Sequence, residues 1–522
     1  MRQLTSLDAQ FLAVESARTY GHVAGLAIYD PSTAPGGELR REDLCRLVSE
    51  RIAGLAPFRW KLAEVPLGLD HPYWVEDPDF DLDFHIRESA VPPPGDDRAL
   101  AQTVARIVAR PLDRARPLWT MYLIHGLPEG RVAVLSKVHH AAVDGVSGAE
   151  ILSALVDLTP EGRKPDELPS QQTEQPERRD PGQLEMLGRG LLGMPRQPLR
   201  ALRQLTRLPN LADVPGAQQV PGVRELGALT VRAQKLLGGE EAKAQLLEPP
   251  PVHVPNTRFN GRITPHRRFS FGSLSLDRIK AIKNELGISV NDVVVAICAT
   301  AVRDYLLARD ELPEEPLVSL VPVSVRTPEQ IGTFGNRVSA MSVPIPTDEP
   351  DPRRRLLTAH ETLRSAKTRH KAVPATLMQD VTQFIPPAVH ALASRTTMQL
   401  AANVGRPVLN LVISNVPGPP MPLYLAGARL EAHFPVSVIT DGVGLNITCM
   451  SYQDHVDFGV VVDRDMVDDA WELMEGLRHA LNELEAATVT DDVEARFTKD
   501  ELPSDHGSVT TALSAEAPAS HA

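Results

Sequence analysis

Cysteine is scarce in this sequence: three residues in 522, Cys45, Cys298 and Cys449. They lie far apart, are odd in number and show no CxxC or CxxH spacing. That argues against a disulfide framework or a zinc knuckle and fits a reducing cytoplasm. No apolar run reaches the roughly 18 residues that a membrane span needs. The opening RQLTSLDAQFLAVES has no apolar signal core. Basic charge is in deficit as well, with 54 Lys and Arg against 67 Asp and Glu and a formal net charge of −13. Nucleic acid, whose phosphates want a basic surface, is therefore not an expected partner. What remains is a chain that is 42% hydrophobic, enough for a large core, and long enough for more than one domain.

Residues 1–160 read as dense mixed α/β sequence. LCRLVSERIAGL (44–55) has helical apolar spacing, and PLWTMYLIHGL (117–127) and RVAVLSKVHH (131–140) have strand character around a Pro-Glu-Gly turn. Ser147 then precedes a helix-like GAEILSALVDL. Over 161–225 Pro, Gln, Glu and Arg dominate, which marks a linker or excursion. Within it Arg200, Arg203 and Arg207 fall on one helical face among leucines. That pattern suits a basic amphipathic helix on an anionic membrane, or a solvated connector. Structured sequence resumes over 226–488: a strand at HRRFSF (266–271), a helix opened by Ser275 and closed by Gly287, and a buried helix over 291–309. Strands are expected at 315–325, 337–345, 409–416 and 455–463, and an amphipathic helix at 351–370. The segment 375–400 reads either as channel lining or as ordinary core helix. The tail, 489–522, is polar and small-residue-rich and reads as disordered.

The strongest chemical signal is SKVHHAAVDGVSG (136–148). A β-branched strand ends at His139 and His140, and a small-residue turn with Asp144 and Gly145 follows. A strand end is a rigid platform beside an exposed turn, and an imidazole held there suits general base work. Gly145 permits a backbone angle that other residues resist. His-His-Asp as a metal site is disfavoured: adjacent histidines on a strand point to opposite faces, and no HExxH accompanies them. No GxSxG nucleophile elbow is present, and the cysteines lie in apolar or helical surroundings. Direct transfer without a covalent intermediate is the expected chemistry.

HHAAVDG (139–145) resembles the HHxxxDG motif of the bacterial wax ester synthase/diacylglycerol acyltransferase family. That family sits within the coenzyme A-dependent acyltransferases that include chloramphenicol acetyltransferase and peptide-synthetase condensation domains. The resemblance runs in order over about residues 1–490. It takes in LTSLDAQFLAVES (4–16), PLDRARPLW (111–119), SVNDVVVA (289–296), PVSVR (322–326), GNRVS (335–339) and ISNVPGP (413–419). IGTFGN (331–336) also echoes the condensation-domain pattern.

The resemblance implies an α/β fold of two chloramphenicol acetyltransferase-like lobes, each a mixed sheet with helices, with an active-site tunnel between them. His140 would be the catalytic base facing the tunnel, with His139 a lesser contributor. Asp144 would turn away and hold the loop through an arginine, Arg59 first or Arg326. Asn291 is an oxyanion candidate or a helix N-cap, and Asn415 shapes the tunnel or a loop. Pro117, Leu118 and Trp119 are expected to pack beneath the site. Arg267, Arg268 and Lys280 are candidates for coenzyme A phosphates, or simply solvated charges. No metal or other cofactor is expected, acyl-coenzyme A being a substrate. The implied reaction esterifies diacylglycerol, and also long-chain alcohols. It would take place at the inner face of the plasma membrane or on lipid inclusions, with the protein peripherally attached. The alternatives are a condensation-type enzyme with a carrier-bound donor, and an inactive lipid-binding protein of the same fold.

Overall fold

The computed structural model describes residues 2–52, 55–66, 70–142, 154–163, 253–324, 338–371 and 407–499. In chain order the N-terminal elements are β1 (Arg2–Gln3), α1 (Ser6–Ala13), β2 (His22–Asp30), α2 (Arg41–Arg51), β3 (Trp60–Ala63), β4 (Tyr73–Glu76), α3 (Leu82–His85), β5 (Ile86–Ala90), α4 (Asp97–Val108), β6 (Trp119–His125) and β7 (Val132–His139). After them come β8 (Arg267–Ser275), α5 (Leu276–Leu286), α6 (Val290–Leu307), β9 (Leu317–Ser324), β10 (Val338–Ile345) and α7 (Pro352–Lys371). The chain continues through β11 (Leu411–Val416), β12 (Tyr424–Leu425), β13 (Ala428–Val436), β14 (Leu445–Tyr452), β15 (His455–Asp463) and α8 (Ala470–Lys499).

Two six-stranded mixed sheets organise these elements. The first has the order β12-β13-β2-β7-β6-β5, antiparallel except where β5 and β6 run parallel across the α4 connection. The second has the order β10-β9-β11-β14-β15-β8, with β9, β11 and β14 parallel to one another. A small antiparallel sheet, β1-β4-β3, flanks the first.

The expected strand at 131–140 forms as β7. Its valines suit a pleated, two-sided buried position, and its neighbours β2 and β6 cover both edges. The β-branched run of α6 would favour a strand by propensity alone, yet it is helical. Ser289 caps it, accepting the Asp292 N–H, and the Asp292 carboxylate answers to the Ser289 N–H in a capping box. Its flank is buried against α7 and α8 in the core of the second lobe. Ser275 caps α5 and Gly287 closes it in the left-handed region, φ 65°, as the sequence indicated.

Three expectations need correction. Residues 226–488 do not make one self-contained lobe, because Tyr424–Val436 leaves the second sheet and pairs with β2 of the first. The alternating apolar residues of this excursion, Leu425, Ala428 and Leu430, complete the first lobe's core. The tail is not disordered from 489, since α8 continues helically to Lys499. The expected helix at 291–309 begins one residue early, at Val290, and ends at Leu307. The basic segment 198–208, the 375–400 segment, Asp144, Gly145 and Arg326 lie outside the described residues.

Apolar side chains join the lobes. Leu26, Val104 and Leu135 of the first pack with Phe269, Phe271 and Val461 of the second, and Phe434 of the lent strand lies among them. At this junction β15 crosses β13 so closely that a Cβ on Gly459 would stand 1.8 Å from the Pro435 carbonyl oxygen. Backbone on both sides leaves no flexible side chain to yield. Gly459→Ala should therefore cost about 1–3 kcal/mol of stability, the range for overpacking a filled core. Urea unfolding checks it, and an unchanged midpoint would contradict the tight crossing.

Candidate active site

The site is built where β7 runs out. The last ladder pair of β2 and β7 is His22 with His139. One residue further on, the His140 N–H donates to the Gly21 carbonyl at 2.9 Å, while the His139 N–H donates to Leu118 O at 2.9 Å on the other side. The backbone of both histidines is thus fixed by the sheet. The chain then turns, with the Ala142 N–H donating to His139 O.

The two imidazoles meet different partners. His139 is buried, and its Nδ1 accepts the Ala141 N–H at 3.0 Å. That contact leaves the proton of the neutral ring on Nε2, which faces the Glu15 carboxylate at 3.1 Å. His140 is half-buried, and its ring lies flat on Phe11, 4.3 Å between centroids and 8° between planes. No described residue hydrogen-bonds its ring nitrogens. Burial, and after it the neighbouring His139, holds the His140 imidazole down at about 4. It is therefore neutral at physiological pH, with a lone pair available to take a proton.

Glu15 is the residue that sequence reasoning missed. Burial alone would push its carboxyl up. His139, the Gly21 N–H at 2.8 Å and Arg114 at 2.6 Å outweigh burial and hold it at about 2. Arg114 also donates to Leu12 O, so one guanidinium from the PLDRARPLW stretch ties down both ends of the segment that carries Glu15. Gly21 packs directly on the His139 ring, where a Cβ would stand 2.6 Å from Nε2. The available signal was the four-residue spacing of Phe11 and Glu15 inside LTSLDAQFLAVES. It is ordinary helical spacing and did not distinguish them from core and surface.

Beneath this layer Lys137 and His22 face the carbonyls that end α4. Lys137 Nζ donates to Ile107 O and Arg110 O, and His22 Nε2 lies 2.8 Å from Val108 O. Burial draws Lys137 down to about 7, with Glu15 opposing and Arg87 and Arg110 adding. Leu118 and Trp119 are buried as expected, and Trp119 Nε1 donates to Phe58 O at 2.8 Å.

The asparagines come together across the second lobe: Asn415 Nδ2 donates to Asn291 Oδ1 at 3.4 Å, and Cys449 Sγ lies 3.5 Å from Asn415 Oδ1. Asn291 is not the N-cap of α6, a role that Ser289 fills. Asp292 is buried and also takes His360 Nδ1 at 2.8 Å. Arg59, the first choice of partner for Asp144, pairs with Glu76 at 3.2 Å. Arg267 is buried, with three of its N–H donors on backbone carbonyls rather than facing solvent. Arg268 donates to Val467 O, and Lys280 pairs with Asp277 on the surface. Among the described residues no group of three or more His, Cys, Asp or Glu is placed to hold a metal ion.

The motif order, the two mixed sheets and the paired histidines at a strand end agree with one family. Residues 4–294 match the wax ester synthase/diacylglycerol acyltransferase catalytic domain, and residues 334–485 match the C-terminal domain of the same family. The chain belongs to the wax ester synthase/diacylglycerol acyltransferase family. A Mycobacterium tuberculosis protein named as a diacylglycerol O-acyltransferase is 37% identical over 488 residues, 93% of this chain and 90% of that one. The wax ester synthase/diacylglycerol acyltransferase structure from Marinobacter aquaeolei VT8 is similar at TM-score 0.63 and 29% identity, covering 94% of this chain and 100% of that one. The first condensation domain of the CDA synthetase shares the fold at TM-score 0.52 and 15% identity, covering 93% of this chain and 96% of that one. The chain is thus an acyltransferase on a chloramphenicol acetyltransferase-like fold.

Glu15 ionises in the folded protein at about 2 against an ordinary 4.5. A depressed carboxyl contributes stability above its unfolded value, and that stability is lost as pH falls toward the folded one. Glu15→Gln should therefore flatten the stability–pH curve between about pH 4.5 and 2, as read by denaturation at a series of pH values. Superimposable curves for parent and variant would show that Glu15 is not held by its neighbours.

Proposed function

We propose that this acyltransferase moves a long-chain acyl group from coenzyme A to the free hydroxyl of diacylglycerol, and also to long-chain alcohols, with His140 as general base. Family membership supports the acyl-coenzyme A donor and a lipid acceptor. The observation that carries the role of His140 is its ring: flat on Phe11, held neutral, and hydrogen-bonded to no described residue.

A ring nitrogen of His140 takes the proton as the hydroxyl oxygen attacks the thioester carbonyl. The C–O bond forms, and the carbonyl becomes a tetrahedral oxyanion. On collapse the C–S bond breaks, and the imidazolium returns its proton to the departing thiolate. The base step contributes about 10²–10⁴ in rate. Alignment of the two substrates contributes up to about 7–11 kcal/mol. Asn291 and Asn415 are the oxyanion or tunnel candidates, and their mutual hydrogen bond supports treating them as one unit. Asp144 and Gly145 keep their proposed role in holding the loop after His140.

The protein acts peripherally, at the inner face of the plasma membrane or on lipid inclusions. The lipid acceptor supports this. Among the described residues no single helix is long and apolar enough to cross a membrane.

Labelled palmitoyl-coenzyme A, offered diacylglycerol and hexadecanol in parallel, should give labelled triacylglycerol and wax ester. His140→Ala should cut both by at least about 10²-fold while circular dichroism stays that of the parent. Near-parent turnover in a folded His140→Ala protein would remove His140 from the chemistry.

A further inference from the structure

We propose that Arg267, at the start of β8, is a positioning residue that holds the 15–21 segment of the first lobe against both histidines. The proposal rests on His140 being the base.

Its guanidinium is buried and bridges the lobes. Nη1 donates within the second lobe to Thr264 O at 2.6 Å and His266 O at 3.2 Å. Nη2 donates across the junction to Arg18 O at 2.5 Å. Its Cζ stands 5.3 Å from the centre of the Tyr20 ring, which in turn stacks on His22 at 5.5 Å. Beside it the Arg18 guanidinium stands 3.8 Å from Asp441, whose carboxylate also takes the Ile263 N–H. The second lobe thus grips the segment at Arg18 and Tyr20.

The same segment reaches the histidines at its ends. Glu15 faces His139, and the carbonyl of Gly21 takes the His140 N–H. The Gly21 N–H closes the segment on itself by donating to Glu15. A shift at Arg18 and Tyr20 is therefore passed to both histidines through a short, closed loop.

A buried guanidinium seldom stabilises a fold more than an apolar side chain of equal volume. What it supplies is direction. Its planar fork holds donors at fixed angles, so it can serve a carbonyl in each lobe at once, whereas the single ammonium of lysine cannot match that spread. Misplacing a reacting group by about 1 Å can cost about 10²-fold. The cost falls on the chemical step, because Arg267 is buried and three of its five N–H donors already serve main-chain carbonyls.

The test compares parent, Arg267→Met, Arg267→Lys, Tyr20→Leu and His140→Ala with palmitoyl-coenzyme A and diacylglycerol. Arg267→Met should lower kcat by about 10–100-fold with both KM values unchanged. Arg267→Lys should recover part of that loss, and Tyr20→Leu should show a smaller loss of the same kind. Arg278→Met, on the exposed face of α5 where Arg278 pairs with Glu485, should keep parent kcat. Parent kcat in folded Arg267→Met overturns the proposal. So does a raised KM for acyl-coenzyme A with kcat unchanged, which would make Arg267 a phosphate ligand. If Arg267→Met does not fold, Arg267→Lys and Tyr20→Leu decide: reduced kcat at constant KM supports the proposal, and parent kcat in both ends it. Retained turnover in His140→Ala is a separate result that removes the base and leaves the Arg267 comparison readable.

Discussion

The hydrogen bond from the His140 amide to the Gly21 carbonyl extends the β2–β7 ladder one step beyond its last paired residues. The geometry of the site follows from that step. It keeps His140 on the rigid end of a central strand while its side chain leaves the sheet. It also brings the 15–21 segment close enough for Glu15 to face His139 and for α1 to lay Phe11 under His140. Remove the step and the two rings lose their common reference on the sheet.

The two histidines divide the work that a single residue would otherwise have to do. His139 is committed on both nitrogens, one to a main-chain N–H and one toward a carboxylate, and holds the site together. His140 is half-buried and stacked on Phe11, and its burial favours the neutral form. Placing a carboxylate beside His139 and an aromatic ring beside His140 separates the charged partner from the working ring. The second lobe joins through Arg267 and Tyr20, so the arrangement of the lobes and the position of the base are linked by main-chain and side-chain contacts.

Much of the fold was legible in the chain. β7 and the body of α6 were readable because β-branched alternation and a long apolar run are local signals, whereas the sequence pointed to Asn291 as the cap that Ser289 provides. The histidine pair was legible for the same reason: its chemistry sits within a few residues. Glu15, Arg267 and the Asp292–His360 contact were not, because each depends on a partner far along the chain, and a lone carboxylate or arginine carries no local mark of it. The excursion of Tyr424–Val436 into the first sheet was missed for a related reason. Strand alternation shows which face is buried, but not which sheet the strand joins.

His140 can act as a base because burial, and after it His139, keeps its imidazole neutral; the pH dependence of kcat/KM is the sharpest check, because it reports the free enzyme's essential groups. The rate should stay flat down through pH 6 and fall only toward the depressed imidazole value of about 4. An acid limb centred near the ordinary histidine value of about 6.5 would contradict it, since His140 would then be titrating as an open, solvated ring.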